Sequence, residues 1–155
     1  MKHIKLFESF NDIDSICNKY VITNYTINSD GSIDVDGNVD LAGSGLTKLP
    51  LKFGNVTGNF YCNNNKLTTL EGSPKEVGGG FYCQFNQLTS LKGGPIKVGG
   101  GFDCRNNKLP KLILDNMKHI KKIVEYQEDY LIWRSSGALD EYKFNDMMEE
   151  IKMEE

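Results

Sequence analysis

The segment FYCNNNKLTTL, residues 60–70, recurs along the chain. It returns as FYCQFNQLTSL at residues 81–91 and as FDCRNNKLPKL at residues 102–112, so each copy begins 21 residues after the previous one. A fainter copy, VDLAGSGLTKL, precedes them at residues 39–49. Agreement at so many positions and at one fixed offset is the signature of a repeat protein.

The alternation Phe-x-Cys within each copy predicts a short strand with one buried face. Such a strand cannot bury its apolar residues alone, so the copies must stack with their strands about 4.8 Å apart. Stacking aligns equivalent residues into ladders that form a continuous core. The predicted ladders are Phe60, Phe81 and Phe102; Leu41, Cys62, Cys83 and Cys104; Leu67, Leu88 and Leu109; and Asn65, Asn86 and Asn107, whose amides should bond the backbone of the turn after each strand.

This pattern resembles the leucine-rich repeat, L-x-x-L-x-L-x-x-N-x-L, with Phe and Cys at strand positions. It is most similar to repeat proteins of tailed bacteriophages, whose units read N-x-L-T-S-L-E-G-x-P-x-x-V-G-G-x-F-x-C. Here residues 65–83 read NKLTTLEGSPKEVGGGFYC, and the likeness extends over about residues 25–113. The opening MKHIKLFESF, residues 1–10, is also similar to the N-terminus of many phage proteins. The resemblance implies an α/β repeat solenoid of phage origin, but those proteins share no single activity.

The segments on either side are predicted to cap the solenoid, because terminal repeats need a polar outer covering. This divides the chain into an N-terminal helix and hairpin cap (1–35), a leucine-rich-repeat-like solenoid (36–113) and a C-terminal helical cap (114–155). We leave open whether the C-terminal helices only cap the solenoid or also dock a partner.

Within these caps, residues 11–20 read as an amphipathic helix, followed by a hairpin that turns at Asp30-Gly31. After the solenoid, the apolar spacing predicts one helix from about Asp115 to Arg134. A second amphipathic segment follows, with its apolar positions at Tyr142, Phe144, Met147, Met148 and Ile151.

Catalytic and metal-binding chemistry finds little support in the sequence. Three of the four cysteines recur at the repeat period and not in the close pairs of a zinc site, so we interpret them as core residues. Two glycine triplets, residues 78–80 and 99–101, lead into strands and not into the helix that a phosphate-binding loop requires. The two histidines, His3 and His119, have no nucleophile or carboxylate that their position pairs with them. We therefore predict a protein that is not an enzyme, with no catalytic residues, no metal and no cofactor.

The charge and hydropathy of the sequence argue against nucleic acids and membranes as partners. The net charge of −3 argues against a nucleic-acid binder, which would normally carry a basic excess. No apolar run approaches the roughly 20 residues that cross a bilayer, and residues 1–8 lack the features of a signal peptide. We expect a cytoplasmic protein, in the host cytoplasm if it is phage-encoded, that does not associate with membranes.

The remaining surface is the outward side of the stacked strands. Tyrosine, arginine and exposed phenylalanine are enriched at protein-binding hot spots, so we predict a partner-binding face there. Our hypothesis is a protein–protein interaction module that binds a host or phage protein. Two alternatives stay open: a binder of a nucleotide or sugar on the same face, and a self-assembling structural component, for which a homo-oligomer is expected. The predicted binding residues are Tyr61, Asn63, Tyr82, Gln84, Phe85, Asp103 and Arg105.

Overall fold

A computed structural model describes the backbone of residues 2–155 and the side chains of residues 11–155. The side chain of His3 lies outside the described part. In chain order, the elements are α1 (Lys2–Lys19), β1 (Tyr25–Ile27), β2 (Ile33–Val35), β3 (Val39–Asp40), β4 (Phe53–Val56), β5 (Phe60–Tyr61), β6 (Glu76–Val77), β7 (Phe81–Tyr82), β8 (Lys97–Val98), β9 (Phe102–Asp103), α2 (Lys111–Leu114), a 3-10 turn (Met117–His119), α3 (Ile120–Tyr126) and α4 (Glu141–Met153).

The repeats stack as coils of a β-solenoid, and each complete coil contributes one strand to each of two sheets. Sheet 1 has the strand order β1-β2-β4-β6-β8, and sheet 2 has the order β3-β5-β7-β9. All pairings are parallel except that of β1 with β2. In sheet 2 the register pairs Phe60 with Phe81 and Phe81 with Phe102, as expected from the 21-residue period.

The predicted core ladders are present. The rings of Phe60, Phe81 and Phe102 stack with centroid separations of 5.5 and 5.3 Å. The thiols of the cysteine ladder are fully buried, and so are Leu67 and Leu88. Burial of these apolar side chains is the main favourable contribution to folding, at about 25 cal/mol for each Å² removed from water.

The asparagine ladder closes the turn after each strand of sheet 2. The Oδ1 atom of Asn86 accepts a hydrogen bond from the backbone N–H of Leu67 in the coil before it, at 3.0 Å. Its Nδ2 donates to the carbonyl oxygens of Cys62, at 2.9 Å, and of Cys83, at 3.1 Å. Asn65 and Asn107 make the equivalent donor bonds, each to one carbonyl of the preceding coil and one of its own coil. Each amide therefore ties two consecutive coils together.

The predicted α/β character of the repeat is not found, because residues 33–103 contain strands and turns but no helix. The return segment of each unit instead enters a strand of sheet 1, whose buried positions form a valine ladder. These strands are only two to four residues long. The ladder consists of Val35, Val56, Val77 and Val98.

The N-terminal region contains the predicted hairpin, with Tyr25 opposite Val35. The helix before it is longer than the predicted 11–20, since α1 begins at Lys2. It ends where the N–H of Ile22 bonds the carbonyl of Cys17, at 2.8 Å, with Val21 in a left-handed conformation between them. This is a Schellman motif with valine at the position that usually holds glycine.

The single helix predicted from Asp115 to Arg134 is wrong. Helix α3 ends at Tyr126, and the N–H of Ile132 then bonds the carbonyl of Gln127, with Leu131 at a φ of 51°. Because the helix has ended, Leu131 is exposed instead of continuing the apolar face.

Helix α4 buries Phe144, Met147, Met148 and Ile151 as predicted, but Tyr142 is 82% exposed. None of the helices in residues 2–155 combines the length and the apolar composition that crossing a bilayer requires.

Candidate functional site

The predicted binding residues lie on or directly after the strands of sheet 2. The register of that sheet places Tyr61 beside Tyr82, and Tyr82 beside Asp103. The side chains alternate, so the phenylalanines before these residues point into the core while these three point outward. We use the name strand face for the surface formed by Tyr61, Asn63, Tyr82, Gln84, Phe85, Asp103 and Arg105.

The two tyrosines form the rigid centre of the strand face. Their rings stack with centroids 5.1 Å apart and planes inclined by 11°. The hydroxyl of Tyr61 accepts a hydrogen bond from Nδ2 of Asn59, at 3.0 Å. Both side chains are half-buried, so each presents only part of its ring to the surface. A ring held in this way loses little conformational entropy when a partner covers it.

Asn63 and Gln84, each two residues after a tyrosine of the strand face, have polar groups without a full set of hydrogen bonds. The Nδ2 of Asn63 donates to Oδ1 of Asn64, at 2.8 Å. The carbonyl oxygens of the Asn63 and Gln84 side chains are buried and have no donor among the residues that the structure describes. A buried acceptor without a donor costs free energy, about 1–3 kcal/mol. These two amides are therefore poorly explained by stability alone.

Arg105 does not stand free beside Gln84. It folds onto Asp103, with Nη2 at 2.8 Å from Oδ2 and Nε at 3.0 Å from Oδ1. The hydrogen bond from the Arg105 guanidinium holds the pKa of Asp103 below its usual range, and the carboxylate raises the pKa of Arg105. The face therefore presents an ion pair here, with Arg105 72% and Asp103 19% exposed.

Phe85 is the exposed apolar side chain of the strand face, at 52% exposure. Its backbone has a φ of 57°. The asparagines at the equivalent positions have almost the same value, 57° for Asn64 and 55° for Asn106. The left-handed region is common for asparagine and unfavourable for a bulky residue. Phenylalanine thus occupies a turn position that its own conformational preference opposes.

A cleft lies away from the strand face, on the side of the solenoid that carries no strand. One wall consists of residues 68–71 and 89–93, and the other of residues 127–137 from the C-terminal region. Its volume is about 860 Å³. The repeat pattern does not predict this cleft, because nothing in the repeat connects these segments. The available signal was the hydroxyl pair Thr68-Thr69, which recurs as Thr89-Ser90 where the outer units have lysine at the second position.

The four cysteines are free thiols, and all are buried. Burial raises the pKa of Cys62 and Cys83 well above the ordinary range and that of Cys104 to about 12. Such thiols are protonated at neutral pH, and the thiolate is the nucleophile and metal ligand. Among the described side chains, no cluster of three or more His, Cys, Asp or Glu has an arrangement that could hold a metal ion.

The fold defines the chain as a β-solenoid protein with helices at its ends. No protein-family model, no curated protein and no solved structure matches it. Its function has to be inferred from its own surfaces.

Proposed function

We propose that the chain is a non-enzymatic protein-interaction module that binds a protein partner through the strand face. The observation that carries the proposal is Phe85, an exposed aromatic side chain held in a left-handed conformation. Backbone strain lowers stability and clusters at functional sites, and exposed apolar surface marks interaction sites. The ring of Phe85 is still 52% exposed, so contact with a partner that covers it is the simplest compensation for the strain.

The neighbours of Phe85 support the same proposal. The stacked pair Tyr61–Tyr82 supplies a pre-ordered aromatic surface, and the Asp103–Arg105 pair supplies charge of both signs at one edge. Aromatic residues and arginine are enriched at interface hot spots. The unsatisfied amide oxygens of Asn63 and Gln84 become acceptors for the partner if the side chains rotate outward.

The phage origin and the identity of the partner rest on the resemblance of the repeats alone. On that basis we propose a phage accessory protein that acts in the host cytoplasm on a host or phage protein. Seven residues form a smaller patch than the roughly 800 Å² per partner of a standard interface. We therefore expect modest affinity, or a second contact from the C-terminal helices.

The test compares three baits in affinity capture from a lysate of the bacterial host: the wild type, Phe85→Asn and Tyr142→Ser. Tyr142 is a matched control, since it is an aromatic residue that is 82% exposed and lies on α4, outside the strand face. We expect a protein that the wild type and Tyr142→Ser retain and Phe85→Asn loses. With the purified partner, Phe85→Asn should weaken binding by at least about 2 kcal/mol, roughly 30-fold in Kd.

The alternative functions predict different results for these three proteins and for one further variant, Tyr61→Ala. A partner retained equally by all three baits would contradict a site at Phe85. Sedimentation that shows a concentration-dependent mass, abolished by Phe85→Asn, would instead favour self-assembly through this face. A nucleotide or sugar that protects the wild type but not Tyr61→Ala against thermal unfolding would favour small-molecule binding there.

A further inference from the structure

The cleft between residues 68–93 of the solenoid and residues 127–137 has the properties of a ligand site. Its volume of about 860 Å³ falls within the roughly 300–1,000 Å³ of small-molecule pockets. The strand face lies on one sheet, whereas this cleft is formed by two different parts of the chain.

A buried amide with unused donors lies in the wall of the cleft. Gln127 is only 2% exposed, and its Oε1 accepts the indole N–H of Trp133, at 2.8 Å. That bond fixes the orientation of the amide. Its Nε2 is buried and has no acceptor among the residues that the structure describes. An unsatisfied buried donor is costly, and a small movement of the side chain that brings Nε2 to the surface of the cleft lets an oxygen atom of a ligand accept its hydrogen bond.

The hydroxyl groups around Gln127 are also available as donors. The oxygens of Thr69, Ser90 and Ser136 accept backbone N–H groups two residues further along, at 3.1, 3.3 and 3.3 Å. Within the described part of the chain, none of these hydroxyls donates its own proton to an acceptor. The cleft therefore offers several donors to one ligand, which must be rich in acceptor oxygens.

The charges of the cleft argue against an anionic ligand. Lys92 donates to the carbonyl of Arg134, at 3.3 Å, and Glu128 is paired with Lys75, at 2.9 Å. Glu71 adds a carboxylate with no cationic partner among the described side chains. The ammonium of Lys92, which is bonded only to a neutral carbonyl, balances the charge of Glu71, so the cleft has no excess of positive charge to attract a phosphate group. Nucleotides and sugar phosphates are disfavoured on this ground.

An apolar surface completes the cleft. Leu131 lines it and is 63% exposed, because the end of helix α3 turns this residue outward. The C–H face of a pyranose ring is apolar, while its rim carries hydroxyl and ether oxygens. Apolar contact on one side and convergent donors on the other match that chemistry.

We infer that this cleft is a binding site for a neutral saccharide, with Gln127 Nε2 and the hydroxyls of Thr69 and Ser90 as hydrogen-bond donors to its oxygens. The inference does not rest on the proposed protein-binding function, because the two sites share no residue.

Nuclear magnetic resonance of the ¹⁵N-labelled full chain tests the inference. Trp133 is the only tryptophan, so its indole N–H gives one assigned signal beside the side-chain NH₂ signals of Gln127. The probes are glucose, galactose, mannose, N-acetylglucosamine, maltose and cellobiose, each added up to about 20 mM, above a Kd of roughly 1 mM that marks weak binding. We expect at least one saccharide to shift both sets of signals in a saturable way.

Variants locate the binding. Ser90→Ala removes a donor hydroxyl and should weaken the saccharide at least about threefold, the loss of one hydrogen bond. Gln127→Leu removes the amide and should abolish the shift of the indole signal. Phe85→Asn, on the strand face, should leave the affinity unchanged and serves as the control.

Two outcomes would overturn the inference. One is the absence of a saturable shift with every saccharide of the panel. The other is a shift with ATP, used as the anionic probe, where the neutral sugars give none. If Phe85→Asn loses its protein partner while the wild type ignores all sugars, the proposed function stands and the saccharide site alone is refuted.

Discussion

Phe85 adopts the same left-handed backbone conformation as Asn64, its equivalent in the preceding coil, with a φ of 57° in both residues. In this region Cβ lies close to the following carbonyl oxygen, and asparagine tolerates the contact because its short polar side chain bonds locally, which phenylalanine cannot do. The turn at Asn64 is therefore relaxed and the turn at Phe85 is strained, although the two turns have the same backbone geometry. The strained residue is also the one whose apolar side chain is exposed.

Replacing Phe85 with asparagine should stabilise the protein. The change relieves the left-handed strain, and we expect the free energy of unfolding to rise by about 1 kcal/mol. Urea denaturation measures it. The reverse change, Asn64→Phe, should lower stability by a similar amount. A less stable Phe85→Asn would mean that the ring contributes to the fold, and its role as a binding residue would lose its main support.

Removing the Asn86 amide should be among the costliest polar substitutions in the solenoid. Asn86→Ala leaves the buried N–H of Leu67 without its acceptor. It also removes one of the two amide donors from each of the carbonyls of Cys62 and Cys83, which keep their bonds from Asn65 and Asn107. We expect a loss of about 3 kcal/mol by urea denaturation. Asn107→Ala breaks the equivalent bonds at the partly exposed last coil, where water can replace them, and should cost about half as much. Equal losses at both positions would show that the backbone of the inner coil finds other partners.

The repeat could be predicted from the sequence because its inward residues keep a fixed offset. Phe60 and Phe81 are identical residues 21 positions apart, and stacking equivalent residues is the only way such short strands can form a core. The same offset predicted the asparagine ladder and the row Tyr61–Tyr82, which the structure contains. The repeat period does not predict the ion pair between Arg105 and Asp103, because that pair depends on side-chain rotamers.

Sheet 1, by contrast, was not predicted as a sheet. Val56, Val77 and Val98 kept a common register, but each stands in a strand of only two to four residues and shows no extended alternation. The end of helix α3 was also missed, since the left-handed Leu131 is not a typical helix terminator. The cleft depends on this second feature, because Leu131 and Trp133 line it only after the chain has turned.

The close stacking of the coils predicts which glycine of a triplet tolerates a side chain. A Cβ atom added at Gly99 would lie 2.2 Å from the carbonyl oxygen of Gly78 in the coil below. Backbone cannot yield as a side chain can, so Gly99→Ala should cost at least about 2 kcal/mol of stability, the range of an overpacked site. A Cβ atom at Gly101 would meet nothing closer than the Tyr82 hydroxyl, at 3.9 Å. Gly101→Ala should therefore be nearly neutral in thermal unfolding. If both variants unfold alike, the close approach of the coils is not what requires glycine.

The buried thiols predict a loss of stability at alkaline pH. Burial raises the pKa of Cys62, Cys83 and Cys104 in the folded chain, whereas an unfolded thiol ionises near about pH 8.5. The unfolded state therefore releases its protons first, and the stabilisation is complete below that pH and is lost as the pH rises toward the folded pKa. Each thiol adds a downward slope that approaches about 1.4 kcal/mol per pH unit.

Cys83→Ala isolates one of these contributions. The variant should be less stable than the wild type at pH 7, because it leaves a small cavity, but its free energy of unfolding should fall less steeply between pH 9 and pH 10.5. Urea denaturation at several pH values gives both slopes, and tyrosine ionisation affects the two proteins alike. The native wild type should also resist alkylation by iodoacetamide, since Cys17, Cys62, Cys83 and Cys104 are all buried. Two results would contradict this prediction: equal pH slopes of the free energy of unfolding in the two proteins, or rapid alkylation without urea. Either would mean that the coils open often enough to hydrate the thiols, so that the cysteine ladder is not a closed core.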